Sequence, residues 1–456
     1  MPDVADGVTT AREAGETEAG VAGSRLAAFL ETLDEPATLL ERRRRAWERY
    51  TELPMPTRKS EEWRYTDLSR LDPESHVPFA PESGEEENRD AGDLPEQAAR
   101  LLEGMEARSA VAVRVDGRTL HRRLDPALAE RGVVFAPIRR VARERPELLA
   151  ERLYTSDVSP MEEKLWSLHV AMLTGGDVLY VPDGVRVPEP VHVLRWAGEG
   201  DRLLSTHTLL VTGREAEVTW VEEYLSPDLE SPLLSLSGLE LFAGDGATVH
   251  YLSLQRYGRG VKHFSIQHLL AGRDTRLSGL NVNLGGDLAR DDVTSHLEGP
   301  GSESEMLALW FGDGTQHFDH HTLQHHAAPH AYSDLLYKGA LTDSARSVFR
   351  GLIRVDRGAQ LTDAYQTNRN LLLSKHCHAT TLPNLEIEAD DVRCSHGATV
   401  GQVDEGMLFY LMSRGLTRLT AERLLVFGFF DEVLERVPVE GVRERLRDAI
   451  GSKIGL

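Results

Sequence analysis

The chain has 456 residues and a formal net charge of −22 at pH 7, which argues against general nucleic-acid binding and against anionic membrane surfaces. Its two cysteines exclude a disulfide framework and predict a reducing compartment. The N-terminus lacks the basic start and apolar stretch of a signal peptide, and no apolar run approaches the roughly 18 residues of a membrane span. We therefore expect a cytoplasmic protein.

The N-terminal part of the chain combines charged segments with helical patterns. The acidic residues 1–23 are predicted to be disordered, and residues 24–174 are predicted to form a mainly helical region. Within this region a helix is predicted over 24–50, because apolar residues recur at helical spacing. The charged residues 82–93 predict a loop, and residues 111–115 alternate in the manner of a strand.

The pattern changes over residues 175–403, where short alternating strands are separated by Gly and Asp turns. A small residue, any residue and an apolar residue recur at steps of 31, 28, 29, 29 and 26 residues. The recurring positions are Ala216, Ala247, Thr275, Ser304, Ser333 and Ala359. A repeat of this length built from strands predicts a β-helix or a similar β-solenoid. The alternative is a β-sandwich with evenly spaced hairpins.

Helical patterns return in residues 404–456. Asp404 is a predicted N-cap of the first C-terminal helix, and Thr420 is a predicted N-cap of the second. The second helix is apolar on more than one face, so it is either part of the core or docked on another protein. Its aromatic residues are Phe427, Phe429 and Phe430.

The densest group of metal-ligating residue types lies in the segment 317–330, which contains six histidines. If the segment is a strand, His320 and His326 lie on one face. The opposite face would then carry His317, Asp319, His321 and His325. Imidazoles and carboxylates bind zinc, iron or copper, so a β-solenoid metalloenzyme is one hypothesis, although no spacing here matches a ligand motif. No P-loop, G-x-S-x-G or H-E-x-x-H motif occurs in the sequence.

Both cysteines lie close to histidines. Cys377 stands between His376 and His378, and Cys394 stands two residues before His396. In an extended strand Cys394 and His396 share a face. An iron–sulfur cluster needs about four ligands, mostly thiolates, so two cysteines cannot hold one stably within a chain. They can supply part of a site that another subunit completes, and the alternative is that they are buried, inert thiols.

Five segments resemble the SufB/SufD family of iron–sulfur cluster assembly proteins. They are TRKSEEWRYTDLSRL (57–71), LYVPDGVRVPEPVHV (179–193), FRGLIRV (349–355), TDAYQTNRNLLLS (362–374) and LPNLEIEADDVRCSHGATVGQVDEGMLFYLMSRGL (382–416). Within the family, CSHGATVGQ followed by LFYLMSRGL is more similar to SufD members than to SufB members. SufB-like chains carry further functional cysteines, which this chain lacks.

The resemblance implies a mainly β protein, with a right-handed parallel β-helix between N-terminal and C-terminal helical regions. It implies a non-catalytic scaffold that pairs with SufB through the β-helix. The C-terminal helices would dock the ATPase SufC, and Phe427, Phe429 and Phe430 are the residues expected at that contact. The alternatives are a SufB-like homodimeric scaffold and the metalloenzyme described above, and a homodimer of the isolated chain is also left open.

The resemblance further implies a transient iron–sulfur cluster that forms at the interface with SufB and is shared with it. His396 is then the expected ligand or assembly residue, and Cys394 lies beside it. His326 and Cys377 are further candidates for a metal or interface role. The resemblance associates a reduced flavin with the full complex, but the sequence shows no flavin motif, and we expect no tightly bound cofactor in this chain alone.

Overall fold

A computed structural model describes residues 27–80, 94–103, 108–155 and 163–455. The predicted tail at 1–23 and the predicted loop at 82–93 lie outside the described residues. Among the described residues, no helix is long and apolar enough to cross a membrane.

Two sheets of ten strands each form the centre of the molecule. Sheet A contains β1 (Val77–Pro78), β4 (Val134–Pro137), β5 (Gly175–Val181), β7 (Arg202–Thr212), β9 (Leu233–Ala243), β11 (Val261–Ala271), β13 (Leu288–Leu297), β15 (His317–His326), β17 (Arg346–Val355) and β19 (His378–Ile387). Sheet B contains β2 (Ala110–Val115), β3 (Arg118–Leu124), β6 (Val191–Trp196), β8 (Glu217–Leu225), β10 (Thr248–Arg256), β12 (Arg276–Asn283), β14 (Glu303–Gly312), β16 (Tyr332–Leu341), β18 (Asp363–Leu372) and β20 (Arg393–Gln402).

Successive strands from β5 onward alternate between the two sheets. Each strand from β5 to β18 pairs in parallel with the second strand after it, so one strand from each sheet makes a coil, and β5 to β20 make eight coils. This confirms the predicted mainly β, parallel β-solenoid. The alternative β-sandwich is excluded, because its hairpins would pair neighbouring strands in antiparallel fashion.

The predicted repeat follows these coils over its first three positions. The later predicted positions do not lie at the equivalent points of their coils. Ala216, Ala247 and Thr275 are buried and directly precede β8, β10 and β12. The strand register places Ser302 and Ala331 at the equivalent points of the next two coils. The sequence frame instead selected residues two places later, because small buried residues also occur on the inward face of β14 and β16.

The solenoid begins within the region that was predicted to be mainly helical. Strand β2 pairs in parallel with β6, and β4 pairs in antiparallel fashion with β5, so both sheets extend into this region. Arg114 of β2 donates to Asp177 of β5 across 2.8 Å, and both side chains are buried. Arg195 of β6 lies 3.2 Å from the other oxygen of Asp177. These buried ion pairs therefore join β2 and β6 of sheet B to β5 of sheet A.

Residues 27–31 are helical. The helices that follow in the N-terminal region are α1 (Ala37–Glu52), α2 (Glu96–Glu103), α3 (Pro126–Glu130), α4 (Ile138–Glu144), α5 (Glu147–Ala150) and α6 (Glu163–Ala171), of which α1 is the longest. The predicted helix over 24–50 is wrong as a single element, because α1 begins after Pro36, which disfavours helical geometry in the residue before it. Trp166 and Val170 of α6 pack against Ile266 on the outer side of sheet A.

Three helices follow the solenoid: α7 (Glu405–Ser413), α8 (Arg418–Leu434) and α9 (Glu440–Ile454). The Asp404 side chain accepts a hydrogen bond from the backbone N–H of Gly406 at 2.8 Å, which confirms the predicted N-cap. The N-cap of α8 is Thr417 rather than Thr420, since the Thr417 hydroxyl accepts from the Thr420 N–H. Helices α8 and α9 pack on the outer side of sheet B.

Candidate functional site

The C-terminal end of the solenoid is open. Within the described part of the chain, β19 pairs only with β17 and β20 pairs only with β18. Exposure rises in this last coil: Ile387 is 40% exposed, whereas Val355, its register partner in the preceding coil, is fully buried. Two ten-residue strands with free backbone N–H and C=O groups form a template for pairing with another chain.

Cys394 and His396 lie on β20 and share its inward face, as predicted. Cys394 is in register with Ala364 and His396 with Gln366, and both partners are buried on the inner face of β18. Cys394 is half-buried against the apolar cluster that contains Ala364, whereas His396 is exposed at the open end. The solenoid thus holds an imidazole and a thiol side by side where another chain can reach them.

The two groups differ as ligands. Burial raises the pKa of the Cys394 thiol, and the nearby Asp363 carboxylate raises it further. A protonated thiol is a poor ligand, since the thiolate is the form that binds metals. His396 carries an exposed imidazole, which is a suitable ligand for iron. In the isolated chain His396 is therefore the better placed donor of the pair.

Cys377 does not join this pair. It lies in the turn before β19 with its side chain buried in the solenoid interior. Its sulfur lies 3.2 Å from the carbonyl oxygen of Ser374 and 3.4 Å from that of Leu341. Among the described residues, no group of three or more His, Cys, Asp or Glu side chains is arranged to hold a metal ion.

Strand β15 divides five of the six histidines of the 317–330 segment between its two faces, as the alternation predicted, and His330 lies beyond the strand. His320 packs against Trp310 inside the solenoid, with ring centroids 4.3 Å apart. The outward histidines contact separate partners: Thr66 Oγ1 lies 2.8 Å from His317 Nε2, Asp319 Oδ1 lies 3.1 Å from His321 Nε2, and Asp356 Oδ2 lies 3.0 Å from His325 Nε2. These contacts distribute the histidines over several packing interactions, so no observation favours the metalloenzyme hypothesis.

His326 is also inside the solenoid, two coils before the open end. Its Nε2 lies 2.8 Å from the Ser333 hydroxyl, which also accepts a hydrogen bond from Gln324 Nε2 at 2.7 Å. Burial and, to a smaller extent, the neighbouring His325 together lower the pKa of His326 to about 4. The structure therefore does not bring His326 together with His396.

The aromatic residues predicted to dock a partner lie mostly against the solenoid. Phe430 is fully buried on sheet B, so the prediction of an exposed contact is corrected for this residue. Phe427 and Phe429 are partly buried against the same cluster. The cause is that α8 covers apolar side chains on the outer face of β14 and β16, such as Leu307 and Leu336.

A different set of apolar side chains is exposed on α7 and the first half of α8, and we call it the α7–α8 face. Its members are Met407, Phe409, Tyr410, Met412, Leu419 and Leu424. Phe409 is 74% exposed, which is the highest value in this set. The sequence carried a signal for this face, because α7 is apolar all round while a helix packs only one side against a sheet.

Comparison with known proteins covers nearly the whole chain. The family model for the SUF system FeS cluster assembly SufBD core domain matches residues 195–429, and the model for the SufBD protein N-terminal region matches residues 30–193. The iron–sulfur cluster assembly protein SufD of Bacillus subtilis is 31% identical, over 94% of this chain and 97% of its own length. A SufBD family protein of Synechocystis is 28% identical over 92% of each chain. The chloroplastic protein ABCI7 of Arabidopsis thaliana is 28% identical over 87% of this chain and 82% of its own.

Proposed function

We propose that this chain, which belongs to the SufB/SufD family of iron–sulfur cluster assembly proteins, is a non-catalytic scaffold subunit of the cytoplasmic SUF system. The observation that carries the proposal is the open last coil, where His396 and Cys394 face inward between two free strand edges. We assign this coil to pairing with SufB and to the assembly of a nascent cluster at the shared interface.

The free edges support pairing through the solenoid. Proteins usually cover, shorten or charge an edge strand, because an exposed flat edge aggregates. Here β19 and β20 are long, and the inward side chains Ile387 and Val400 are each 40% exposed. A partner solenoid stacked on this coil would continue both sheets and bury these side chains.

The cluster is the cargo of this site. His396 supplies an imidazole nitrogen, and Cys394 is a thiol that becomes a ligand once bound iron or a partner's charge lowers its pKa. Such a pair provides fewer than the roughly four ligands that a stable cluster needs, so thiolates of SufB must complete the site. A site divided between two chains holds its cluster loosely, and this suits a scaffold that must release its product.

The α7–α8 face supports docking of the SufC ATPase. Six large apolar side chains are exposed on these two consecutive helices, and apolar surface concentrated in this way usually marks an interaction surface. Phe409 and Tyr410 are enriched types at protein interfaces, and both are more than half exposed here. We assign SufC docking to this face, beside the positions on α8 that the sequence suggested.

The test is the iron and acid-labile sulfide content of the anaerobically isolated SufB–SufC–SufD complex, with its size measured in parallel. We expect His396→Ala to lose the cluster while the complex keeps its size. The matched control is His378→Ala, since His378 is an exposed histidine on the outer face of the same coil. Unchanged cluster content in His396→Ala would contradict the assigned site.

Two further results would contradict the proposed role. A stable complex of two copies of this chain that assembles clusters without SufB would indicate a SufB-like homodimeric scaffold. ATP hydrolysis or a stoichiometric, stable cluster in the isolated chain would contradict a non-catalytic scaffold.

A further inference from the structure

The inward side chain next to His396 belongs to Gln366 of β18. Gln366 is fully buried, and within the described residues neither its Oε1 nor its Nε2 has a hydrogen-bond partner. Buried polar groups in proteins are nearly always paired, because an unpaired amide loses its bonds to water without compensation. A buried amide of this kind is therefore expected to have a partner in another state of the molecule.

The neighbouring inward amides of the same strand are satisfied. Asn368 Nδ2 donates to the carbonyl oxygen of Tyr337 at 3.2 Å, and Asn370 Nδ2 donates to Asn368 Oδ1 at 2.8 Å. In the preceding coils, Gln324 Nε2 donates to Ser333 at 2.7 Å. Single interior atoms such as Gln324 Oε1 and Thr322 Oγ1 also lack partners, but among the described amide side chains Gln366 is the one in which both the oxygen and the nitrogen are buried and unpaired.

The opposite wall of the solenoid leaves space for the Gln366 amide. Gly351 on β17 faces it, and a Cβ placed on Gly351 would lie 2.5 Å from the amide carbon, oxygen and nitrogen of Gln366. Any residue with a side chain would therefore displace the amide. The glycine at position 351 thus makes room for the Gln366 amide. Two apolar side chains at positions 351 and 366 could fill the same space and would leave no buried amide unpaired.

His396 is the group that Gln366 can reach toward the open end. The two residues are in register on adjacent parallel strands, so their backbones are roughly 4.8 Å apart and their side chains point to the same side. Strand β20, which carries His396, is the last described strand of sheet B, so no further coil covers His396. An amide of this length can hydrogen-bond one imidazole nitrogen of His396 once a partner chain confines the ring.

We propose that Gln366 is a positioning residue for His396, and this inference rests on the proposed function. Its amide holds one ring nitrogen of His396, which fixes the tautomer and the ring orientation and directs the other nitrogen to iron. Histidine ligands typically have their second nitrogen fixed by a neighbouring polar group in this way. The Gln366 amide is unpaired in the isolated chain, and it forms a hydrogen bond with His396 when the site is assembled.

The test uses Gln366→Met, which keeps the length of the side chain and removes its hydrogen bonds. We expect the melting temperature of the isolated chain to stay unchanged or rise, because an unpaired buried amide is replaced by an apolar group. In the isolated SufB–SufC–SufD complex we expect at least a fivefold loss of cluster at unchanged complex size. Gln366→Glu, which still accepts a hydrogen bond from a ring N–H, should recover at least half of the cluster content. A control, Asn370→Leu, replaces a paired inward amide of the same strand and should keep its cluster.

Two outcomes would overturn the inference. One is a wild-type cluster content in Gln366→Met. The other is a loss of cluster accompanied by a lower melting temperature, which would indicate a structural role. His396→Ala, measured in the same series, separates this inference from the proposed function. If His396→Ala keeps its cluster, the assigned site itself is wrong. If His396→Ala loses its cluster and Gln366→Met keeps it, the assigned site stands and the positioning role of Gln366 is rejected.

Discussion

Arg290 on β13 donates a hydrogen bond to Asp319 on β15 across 3.0 Å, and this buried pair joins the N-terminal region to the solenoid. Asp319 also accepts a hydrogen bond from the Thr66 hydroxyl at 2.5 Å. The guanidinium carbon of Arg290 lies 3.7 Å from the ring centroid of Trp63, which is itself buried. The segment 57–71, which resembles the family, is therefore held on the outer face of sheet A by charge, a hydrogen bond and ring packing.

Asp319→Asn should destabilise the protein. Burial by itself would raise the pKa of Asp319, but His321 and Arg290 outweigh it and hold the pKa well below its usual range. The substitution removes a charged hydrogen-bond acceptor and breaks the ion pair of Arg290 with Asp319, while the ion pair of Arg290 with Asp292 remains. We expect a loss of about 1.5–3 kcal/mol in the free energy of unfolding, measured by urea titration at neutral pH.

The control for Asp319→Asn is Glu217→Gln, which breaks the exposed pair of Glu217 with Arg186 and should cost less than about 1 kcal/mol. Equal effects of the two substitutions would contradict the anchoring role. Because the folded pKa of Asp319 lies below its unfolded value of about 3.9, its contribution is full above that pH and is lost as the pH falls further. The difference between wild type and Asp319→Asn should therefore shrink in acid.

His326 should make the stability of the chain depend on pH. Its folded pKa of about 4 lies below the unfolded value of about 6.5, so the unfolded chain takes up the proton first. Its contribution is full above about pH 6.5 and is lost as the pH falls toward 4. The shift corresponds to about 3 kcal/mol. Urea unfolding across this window should show a flatter pH profile for His326→Gln than for wild type.

His326 is not the only described histidine that should make stability depend on pH, so its share is measured as the difference between the wild-type and His326→Gln profiles. Burial also lowers the pKa of His263 to about 4. A His263→Gln variant should therefore flatten the profile to a similar extent. Identical profiles for wild type and His326→Gln would contradict the assignment of a neutral, buried imidazole at position 326.

Phe409→Ser should weaken SufC binding without changing the fold. Phe409 is 74% exposed, so its replacement should alter the free energy of unfolding by no more than about 0.5 kcal/mol. If it anchors the docked ATPase, we expect at least a tenfold rise in the dissociation constant, which corresponds to about 1.4 kcal/mol. Isothermal titration calorimetry with purified SufC measures this change.

Two variants serve as controls for the docking face. Tyr332→Ser replaces an exposed aromatic residue on β16, away from this face, and should leave SufC binding unchanged. Phe430→Ala empties a fully buried site on sheet B and should cost about 3–5 kcal/mol of stability. Wild-type affinity in Phe409→Ser would refute the assignment of SufC docking to the α7–α8 face.

Val400→Asp should prevent pairing with SufB. Val400 is exposed on the inward face of β20, and the variant would place a carboxylate where a stacked coil removes water. We expect the heterodimer peak to be lost in size-exclusion chromatography while the circular dichroism of the isolated chain is retained. Val77→Asp is the control, since Val77 is similarly exposed but lies on β1, which pairs with β7 and is far from the last coil. Persistence of the heterodimer in Val400→Asp would contradict pairing through the open coil.

Local patterns predicted the elements better than their boundaries. The strand alternation around Cys394 and His396 and the N-cap at Asp404 agree with the structure, because each depends on residues close in sequence. The helix over 24–50 and the cap at Thr420 were misplaced, since Pro36 and Thr417 were equally available local signals with a stronger effect. The histidines of the 317–330 segment gave the densest chemical pattern, yet the structure uses them in separate contacts.

By itself, the sequence determined the solenoid, the family and the shared face of Cys394 and His396, because repeat length, motif and strand period are properties of neighbouring residues. Only the tertiary structure decided which residues meet. Sheet register places the unpaired amide of Gln366 beside His396 and opposite Gly351, although these residues are distant in sequence. Packing of α8 on sheet B buries Phe430 and leaves Phe409 exposed. Apolar patterns show that a side chain prefers burial, but the surface that buries it is set by contacts between distant segments.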